Sequence, residues 1–538
     1  MSNKYYDLTY LSLQVNTIIV LTLFIVAMNI ILVLVDSLNK SALKTYNPET
    51  ICETPNLEEF AKKSLIFENH YISSLPCMPA RREIFAGRKE FMWRPWGPLE
   101  IFDPRMPRII QSAGYNTGIV TDHYHYWEET SNGYIQGFAS SKFIRGHETD
   151  FWKMHDDKEV PKWVKKMSEF RASEHMNQYY ANVKDFDGEE DFFPAKTFSA
   201  ACDWLEENSG NGDFFLHIES FDVHEPFHVP EPYASMYTDG SSDDFNIWPP
   251  YQIYDDLEKF MDQTSNEELQ YLESQYMGKT TMADKWFGHL CKQLDRLSLW
   301  DNTMVIFTTD HGHDLGIRRS FGKQYPHYDS HANIPLFIWH PKFCGNGKRV
   351  NTLTQNVDLF ATLVDASGSD IPDTNRHSKS LLPIVKNPEK TNRKVILYGT
   401  YGQGVCLNDG EWTLFCSPVK NKQLYNYSTM ILRPLIVDNP VDGRVGDMPN
   451  QPIDQGFFDE TVPYPLWKMP IKIDPRTYEN FLFNRKKDPH QKENLWDTEV
   501  KKRNELLRLL RSVLDEEGYP AEQLDRLNLT DEVLNNLN

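Results

Sequence analysis

Four short apolar runs, each followed directly by polar residues, constrain the fold of this chain more than any other feature. The runs cover residues 29–35, 116–120, 214–218 and 304–308. They alternate with amphipathic segments, which is typical of a parallel sheet covered by helices. Ligands gather outside the carboxyl ends of such strands, so we expect the polar residues that follow the runs to share one crevice. These residues are Asp36, the stretch 122–125, His224 and Asp310.

Composition excludes several classes of protein. With 538 residues, 40% of them hydrophobic and 25% charged, the chain has the balance of a folded globular protein of two or three domains. The excess of 77 acidic over 56 basic residues gives a net charge of −21, which would repel a nucleic acid, so we expect no such partner. The seven cysteines include no C-x-x-C pair of the kind that indicates a zinc site or a redox dithiol.

The segment 15–35 is a run of 21 residues without charge, long enough at face value to span a bilayer. If Asp36 follows a buried strand, residues 29–35 belong to the sheet and only 15–27 remain, which suits a signal-peptide core better than a span. Residues 1–27 are then a signal, a membrane anchor or a mis-assigned start with Met28 as the true first residue. The protein would accordingly be periplasmic or secreted, membrane-anchored, or cytoplasmic.

The remaining chain divides near residue 385, where prolines, asparagines and charges precede strand-like pieces and turn signals. We predict a catalytic domain over 28–385 and a C-terminal subdomain over 386–538 with a small sheet and a terminal helix over 499–516. Within the first domain, Ser265 and Glu268 form a capping box at the start of a long amphipathic helix that reaches Leu297.

Cys77 begins the most specific local motif, C-M-P-A-R. A proline two residues after the cysteine suits the first turn of a helix, so we expect the Cys77 sulfur at a helix N-terminus, where unpaired N–H groups favour an anion. Arg81 lies within one turn of it. The alternative for an arbitrary cysteine is a buried structural residue.

This motif, followed by Gly-Arg at 87–88, resembles the signature of the sulfatase family, in which the cysteine is oxidised to formylglycine. Further motifs resemble that family in the same order: T-P-N-L at 54–57, V-I-F-T-T-D-H-G at 305–312 and D-P through E-N-L at 488–495. The resemblance implies an α/β, alkaline-phosphatase-like sandwich. Its large, mostly parallel central sheet is flanked by helices and accompanied by a smaller C-terminal α+β subdomain.

The resemblance also implies one divalent cation. Asp36, Asp310 and His311 offer two carboxylates and an imidazole, and the family pattern makes residue 77 a further ligand. A mixed oxygen and nitrogen shell leaves the ion open, with calcium expected first and manganese, magnesium or zinc as alternatives.

Other candidate residues follow from matched motifs. His224, in D-V-H-E-P-F, resembles the family histidine that hydrogen-bonds the substrate ester, and Lys323, in G-K, resembles the lysine that contacts the sulfate. His313 and His331 are further candidates for the pocket wall.

Two motifs depart from the common sulfatase pattern. Where many members have G-K-W-H, this chain has Asp122-His123-Tyr124-His125; His125 keeps the histidine role, while Asp122 and His123 change the charge near the nucleophile. Asp36 is followed by Ser37 instead of a second aspartate, as in the branch that resembles phosphonate and phosphodiester hydrolases.

The function implied is hydrolysis of an organic sulfate ester to an alcohol and sulfate. Residue 77, held by Arg81 and the cation, attacks the sulfur; His224 or Lys323 assists the departing oxygen, and His125 acts as a base. A small-molecule or carbohydrate sulfate ester and an enzyme that generates formylglycine are the expected partners, N-terminal contact with a membrane is an option, and the oligomeric state stays open. One alternative is a phosphonate monoester or phosphodiester hydrolase with the same site. Another is a non-catalytic relative that only binds a sulfated ligand.

Overall fold

The computed structural model describes most of the chain from residue 28 onward. The described residues are 28–128, 131–154, 159–169, 172–249, 254–316, 320–323, 325–343, 345–373, 375, 377–420, 422–430, 454–457, 464–471 and 479–537. The alternatives for residues 1–27 lie outside them.

The strands of this part of the chain are short, with seven residues at most. In chain order they are β1 (Asn29–Val35), β2 (Leu65–Phe67), β3 (His70–Tyr71), β4 (Ser74–Leu75), β5 (Asn116–Thr121), β6 (Ser140–Phe143), β7 (Phe214–Ser220), β8 (Thr303–Thr308), β9 (Asp314–Leu315), β10 (Phe321–Gly322), β11 (Leu336–Trp339), β12 (Arg349–Val350), β13 (Thr354–Gln355), β14 (Ile396–Thr400), β15 (Val405–Asn408), β16 (Trp412–Cys416), β17 (Leu424–Ser428), β18 (Asp454–Phe457), β19 (Leu466–Ile471) and β20 (Phe481–Asn484).

The helices of the described residues surround these strands. They are α1 (Pro55–Lys63), α2 (Cys77–Ala86), α3 (Met106–Ser112), α4 (Lys162–Met167), α5 (Ser173–Val183), α6 (Phe193–Asn208), α7 (Tyr254–Gln263), α8 (Asn266–Arg296), α9 (Asp329–Ala332), α10 (Asp358–Ala366), α11 (Leu382–Lys386), α12 (Val500–Glu517), α13 (Glu522–Arg526) and α14 (Asp531–Asn535).

The largest sheet in the described chain has eight strands in the order β12-β2-β11-β8-β1-β7-β5-β6. The central strand β1 is parallel to β7 and β8, and β5 is parallel to β7 and β6. β11 runs antiparallel to both of its neighbours, so the sheet is mixed although mostly parallel. All four predicted strands lie in this sheet, and the α/β sandwich is confirmed.

Strand β1 is buried on both faces, which explains why its sequence is continuously apolar. Ile30, Leu32 and Leu34 belong to a core shared with helices α2, α3 and α10. The alternate residues of β1 point to the other face, into a core shared with α1, α6 and α8. The last third of the charge-free run 15–35 therefore provides the middle of the sandwich.

The long helix α8 begins as its capping box predicts. The hydroxyl of Ser265 accepts a hydrogen bond from the backbone N–H of Glu268, and the helix runs for 31 residues to Arg296. Leu272, Phe287 and Leu290 of α8 pack into the core on the sheet. No helix in the described part of the chain is both long and apolar enough to cross a membrane.

A second sheet joins distant parts of the chain. Among the described residues it has five strands in the order β20-β16-β15-β14-β4, and α12, which matches the predicted terminal helix, packs against it. Strand β4, which lies just before Cys77 in sequence, joins this sheet: Ser74 and Leu75 pair in parallel with Gly399 and Thr400 of β14. The division near residue 385 stays a prediction.

Ser265→Ala is expected to lower the free energy of unfolding by about 1 kcal/mol, because the first turn of α8 loses its side-chain acceptor. Ser265→Thr keeps a hydroxyl acceptor and serves as the matched control. Urea denaturation followed by circular dichroism measures both variants. An alanine variant as stable as the wild type would mean that the cap contributes nothing to the helix.

Candidate active site

The polar residues that follow the central strands meet at one edge of the sheet, as predicted. The carboxylate of Asp310 after β8 accepts a hydrogen bond from the backbone N–H of Ser37 after β1, at 3.1 Å. The carboxylate of Asp122 after β5 accepts one from the backbone N–H of Phe221 after β7, at 2.7 Å. These cross-strand bonds fix the loops that carry the candidate residues.

Cys77 is the first residue of α2 and is fully buried, at the N-terminal position that the proline predicts. Its sulfur lies 3.3 Å from Nε2 of His311 and 3.8 Å from Nζ of Lys323. Burial, with the nearby charge of Asp36, raises the pKa of the Cys77 thiol well above its usual range. The unmodified side chain is therefore a neutral thiol at neutral pH.

Arg81, one turn after Cys77, contacts carboxylates from three strands or strand ends among the described residues. Its Nη2 lies 2.6 Å from Asp36, its Nε donates to Glu219 at 2.9 Å, and its Nη1 contacts Asp310. All four side chains have 0% exposure. Burial would raise the pKa of Glu219, but Arg81 and hydrogen bonds from His123 and His217 hold that pKa well below its usual range. The guanidinium thus ties α2 to the centre of the sheet.

Asp36, Cys77, Asp310 and His311 form a cluster suited to a cation. One ligand atom from each lies within 4.8 Å of the others, and all four residues are buried, the one such cluster among the described residues. Burial and the charge of Asp310 raise the pKa of Asp36 well above its usual range, and a cation bound here would favour its ionised form. Two carboxylates and an imidazole are ligands that divalent cations accept.

His311 is oriented for ligation through Nε2. Its Nδ1–H donates to the carbonyl oxygen of Gly312 at 3.0 Å, which leaves Nε2 as the nitrogen with a lone pair beside Cys77. Burial holds the pKa of His311 well below its usual range, so the ring is neutral. The residues therefore fit the cation that the family pattern implies.

Lys323 follows a glycine that the backbone requires. Gly322 has a φ of 86°, in the left-handed region that glycine adopts without strain, and it ends β10. This turn brings the buried Lys323 ammonium group to the sulfur of Cys77. The glycine of the G-K element thus allows the backbone turn that positions Lys323.

His125 and His224 lie on either side of one carboxylate, that of Glu148. Nδ1 of His125 is 2.8 Å from Glu128, and Nδ1 of His224 is 2.8 Å from Glu148. Both histidines are buried, and Trp96 packs edge-on against His125 with 4.9 Å between ring centroids. Glu148 approaches both rings, since its other oxygen is 3.9 Å from Nε2 of His125.

The remaining histidine candidates contact acidic side chains. His123 lies 3.0 Å from Glu219, and His313 lies 3.1 Å from Glu225. His331 is 3.1 Å from Asp314, behind the loop that carries Asp310. Their part in binding stays a prediction.

Sequence reasoning missed the acidic residues of the cleft, Glu148, Glu219 and Glu225. Glu219 lies inside strand β7, where its polarity among apolar neighbours was the available signal. Glu148 lies in a loop far from His224 in sequence, and no local spacing relates the two.

The sulfatase family model matches residues 28–369. The chain belongs to the sulfatase family. The choline-sulfatase of Rhizobium meliloti is 24% identical over 79% of this chain and 84% of that protein. The arylsulfatase of Clostridium perfringens is 25% identical over 68% of this chain and 80% of that protein.

Solved structures share the fold. The phosphonate monoester hydrolase of Agrobacterium radiobacter superposes with a TM-score of 0.63 at 17% identity, over 91% of this chain and 96% of that one. The alkaline-phosphatase-like architecture is confirmed by this likeness.

Membership in the sulfatase family identifies the chain as an enzyme, a sulfuric ester hydrolase, as the motifs predict. Sulfatases in general use a divalent cation and a formylglycine, and the described cluster supplies a site for the cation.

Glu83, also on α2, is expected to make stability depend on pH. Burial raises the pKa of Glu83 from 4.5 to about 8, so between these values the folded protein holds a proton that the unfolded chain has lost. The free energy of unfolding contributed by this group therefore falls as pH rises, by at most about 1.4 kcal/mol per pH unit. Glu83→Gln removes this contribution.

The measurement is urea unfolding of wild type and Glu83→Gln at intervals from pH 5 to pH 8. The glutamine variant should gain stability relative to wild type as pH rises. Glu516→Gln, at an exposed position of α12, controls for the effect of replacing a glutamate by glutamine on the surface. A constant difference between Glu83→Gln and wild type across this range would contradict the raised pKa.

Proposed function

We propose that this site cleaves an organic sulfate ester at residue 77, adding water across the S–O bond to give an alcohol and hydrogen sulfate. The observation that carries the proposal is the position of residue 77. It lies at the N-terminus of α2, beside His311 and Lys323 and within the cluster of Asp36 and Asp310. A helix N-terminus and buried cations stabilise an attacking oxyanion and a sulfate group together.

Cys77 is the residue we expect to be converted to formylglycine, whose hydrated aldehyde supplies a hydroxyl group as nucleophile. The raised pKa of the thiol supports this conversion, because a neutral thiol is a poor nucleophile. Cys77 has 0% exposure, so the enzyme that oxidises it must act before the chain folds around it.

The other site residues have roles that follow from their positions. Arg81 holds Asp36 and Asp310 in place for the cation, for which we propose calcium because oxygen ligands predominate once residue 77 carries no sulfur. Lys323 binds the sulfate group beside residue 77. His224 donates a proton to the departing oxygen, and His125 accepts one from residue 77.

A phosphonate monoester or phosphodiester is the second candidate substrate. The observation that favours it is Ser37, which stands where many sulfatases have a second aspartate and donates a hydrogen bond to Asp36 at 2.7 Å. One fewer carboxylate makes the site less negative, which suits other anionic esters too. Comparing kcat/KM for aryl sulfate, aryl phosphonate and phosphodiester ranks the two candidates, and a sulfate rate below both others would reverse our order.

Cys77→Ala is expected to abolish sulfate ester hydrolysis while the protein still folds, because the variant has no group that can become the nucleophile. Turnover of 4-nitrophenyl sulfate measures activity, and circular dichroism checks the fold. Cys202→Ala, a buried cysteine on α6, is the matched control and should retain activity. Retained hydrolysis by Cys77→Ala, or an unmodified Cys77 in the mass spectrum of an active enzyme, would contradict the proposal.

Asp310→Asn is expected to weaken binding of the divalent cation by about tenfold to a hundredfold, since the amide removes a charged ligand from the cluster. Calorimetric titration of chelator-treated protein with calcium, manganese, magnesium and zinc measures the affinity and the preferred ion. Asp365→Asn, on α10, serves as control. Equal affinity in wild type and Asp310→Asn would place the cation elsewhere.

A further inference from the structure

The carboxylate of Glu148 lies between the two histidines of the cleft. Its Oε1 is 2.8 Å from Nδ1 of His224, and its Oε2 is 3.9 Å from Nε2 of His125. The hydroxyl of Tyr124 donates to the same Oε2 at 3.1 Å. Glu148 is 7% exposed and therefore acts in a largely water-free setting.

The loop around Glu148 is held firmly. The backbone of Glu148 has a φ of 44°, in the left-handed region that non-glycine residues rarely adopt without support from their surroundings. On one side, Asp150 pairs with Arg145 at 2.6 Å and accepts the backbone N–H of Gly146 at 2.8 Å. On the other side, the preceding residue, His147, pairs with Asp222 at 2.8 Å.

Asp222 belongs to the loop that carries His224, and the buried Lys279 of α8 fixes that loop. Nζ of Lys279 lies 2.5 Å from the Asp222 carboxylate and donates to the carbonyl oxygens of His224 and Pro226 at 2.7 and 2.8 Å. The two loops that bear Glu148 and His224 are thus joined through Asp222. These contacts fix the distance between the Glu148 and His224 side chains.

The contacts of His224 determine which ring nitrogen faces the substrate. Nδ1 is 2.8 Å from the Glu148 carboxylate and 3.4 Å from the Glu225 carboxylate, and it donates to the carbonyl oxygen of Glu225 at 2.7 Å, so a proton resides on Nδ1. The opposite nitrogen, Nε2, then points away from Glu148. His224 and Lys323 both act on the pKa of His311, so His224 lies near the cluster that contains residue 77.

We propose that Glu148 is a positioning residue that stabilises the protonated ring of His224, so that Nε2–H can protonate the leaving oxygen of an alkyl sulfate. The inference deepens the proposed function and rests on it. A bond forms between sulfur and the hydroxyl oxygen at residue 77 while the S–O bond to the alcohol breaks; the electron pair of the broken bond stays on the alcohol oxygen, which takes the Nε2 proton. His224 becomes neutral, with its Nδ1–H still facing Glu148, and a proton from water restores it.

The arrangement selects a class of substrate. A phenol with a low pKa leaves readily as an anion, whereas an aliphatic alcohol such as a sugar or amino-alcohol hydroxyl needs a proton as it departs. Burial and the charge of Lys323 lower the pKa of His224, whereas the carboxylates of Glu225 and Glu148 raise it, so Glu148 favours the protonated ring that supplies this proton. The expected substrates are therefore sulfate esters of aliphatic alcohols. Activated aryl sulfates would also be hydrolysed, because their phenols leave without needing this proton.

Glu148→Gln tests the proposal with a series of sulfate esters whose alcohols span a wide range of pKa. We expect kcat/KM for alkyl sulfates to fall by about 10²-fold, while that for 4-nitrophenyl sulfate changes by no more than about threefold. The slope of log kcat/KM against alcohol pKa should become steeper. Glu148→Asp, which keeps the charge, should recover part of the loss on alkyl sulfates, and the melting temperature reports on folding of both variants.

Glu128→Gln is the matched control, because Glu128 is 2.8 Å from Nδ1 of His125 and has no ion pair to His224 among the described residues. It should leave the slope unchanged. Equal loss across all substrates in Glu148→Gln, or the same change of slope in Glu128→Gln, would overturn the inference. A wild-type enzyme that hydrolyses no sulfate ester would instead overturn the proposed function, and the inference with it.

Discussion

The ion pairs of Arg81 with Asp36, Glu219 and Asp310 connect the helix that bears Cys77 to the three central strands of the large sheet. Each partner is inaccessible to water, so losing one would leave a buried charge without compensation, at a cost of about 3–5 kcal/mol. A planar guanidinium can meet several carboxylates in one plane, which a lysine ammonium cannot do with the same geometry. The position of residue 77 depends on this cation.

The buried carboxylates of Asp36 and Asp310 affect both the stability of the fold and the binding of a cation. Burial and the charge of Asp310 raise the pKa of Asp36 well above its usual range, although the charge of Arg81 lowers it. A bound cation would favour the ionised pair and tighten the same region. The ends of β1 and β8, which carry Asp36 and Asp310, therefore suit a bound cation.

Much of this arrangement could be predicted from the sequence, and the physical reason differs from element to element. The strand 29–35 was predictable because burial on both faces demands continuous apolar residues, and Ser265 was predictable because a helix cap needs a local acceptor. Cys77 and Asp310 were identified through linear motifs whose residues act close together in sequence.

The parts that could not be predicted depend on contacts between distant segments. The antiparallel strand β11 and the pairing of β4 with β14 involve only a few residues each, with no periodicity to mark them. Glu148 meets His224 across 76 positions of sequence, through a loop whose conformation follows from Asp222 and Lys279 rather than from local spacing. Residues 1–27 lie outside the described structure, so their alternatives are unchanged.

The pairing of Ser74 and Leu75 with Gly399 and Thr400 sets a time scale for chemical maturation. A ribosome adds the second pair about 320 residues after the first, which takes roughly 15–65 s at about 5–20 residues per second. Throughout that interval β4 lacks the strand it pairs with among the described residues, and a Cys77 converted as proposed would then be most accessible to the oxidising enzyme. Once β14 has paired and Cys77 is buried, access would be limited, so under the proposed conversion the order of synthesis would influence the fraction of molecules that mature.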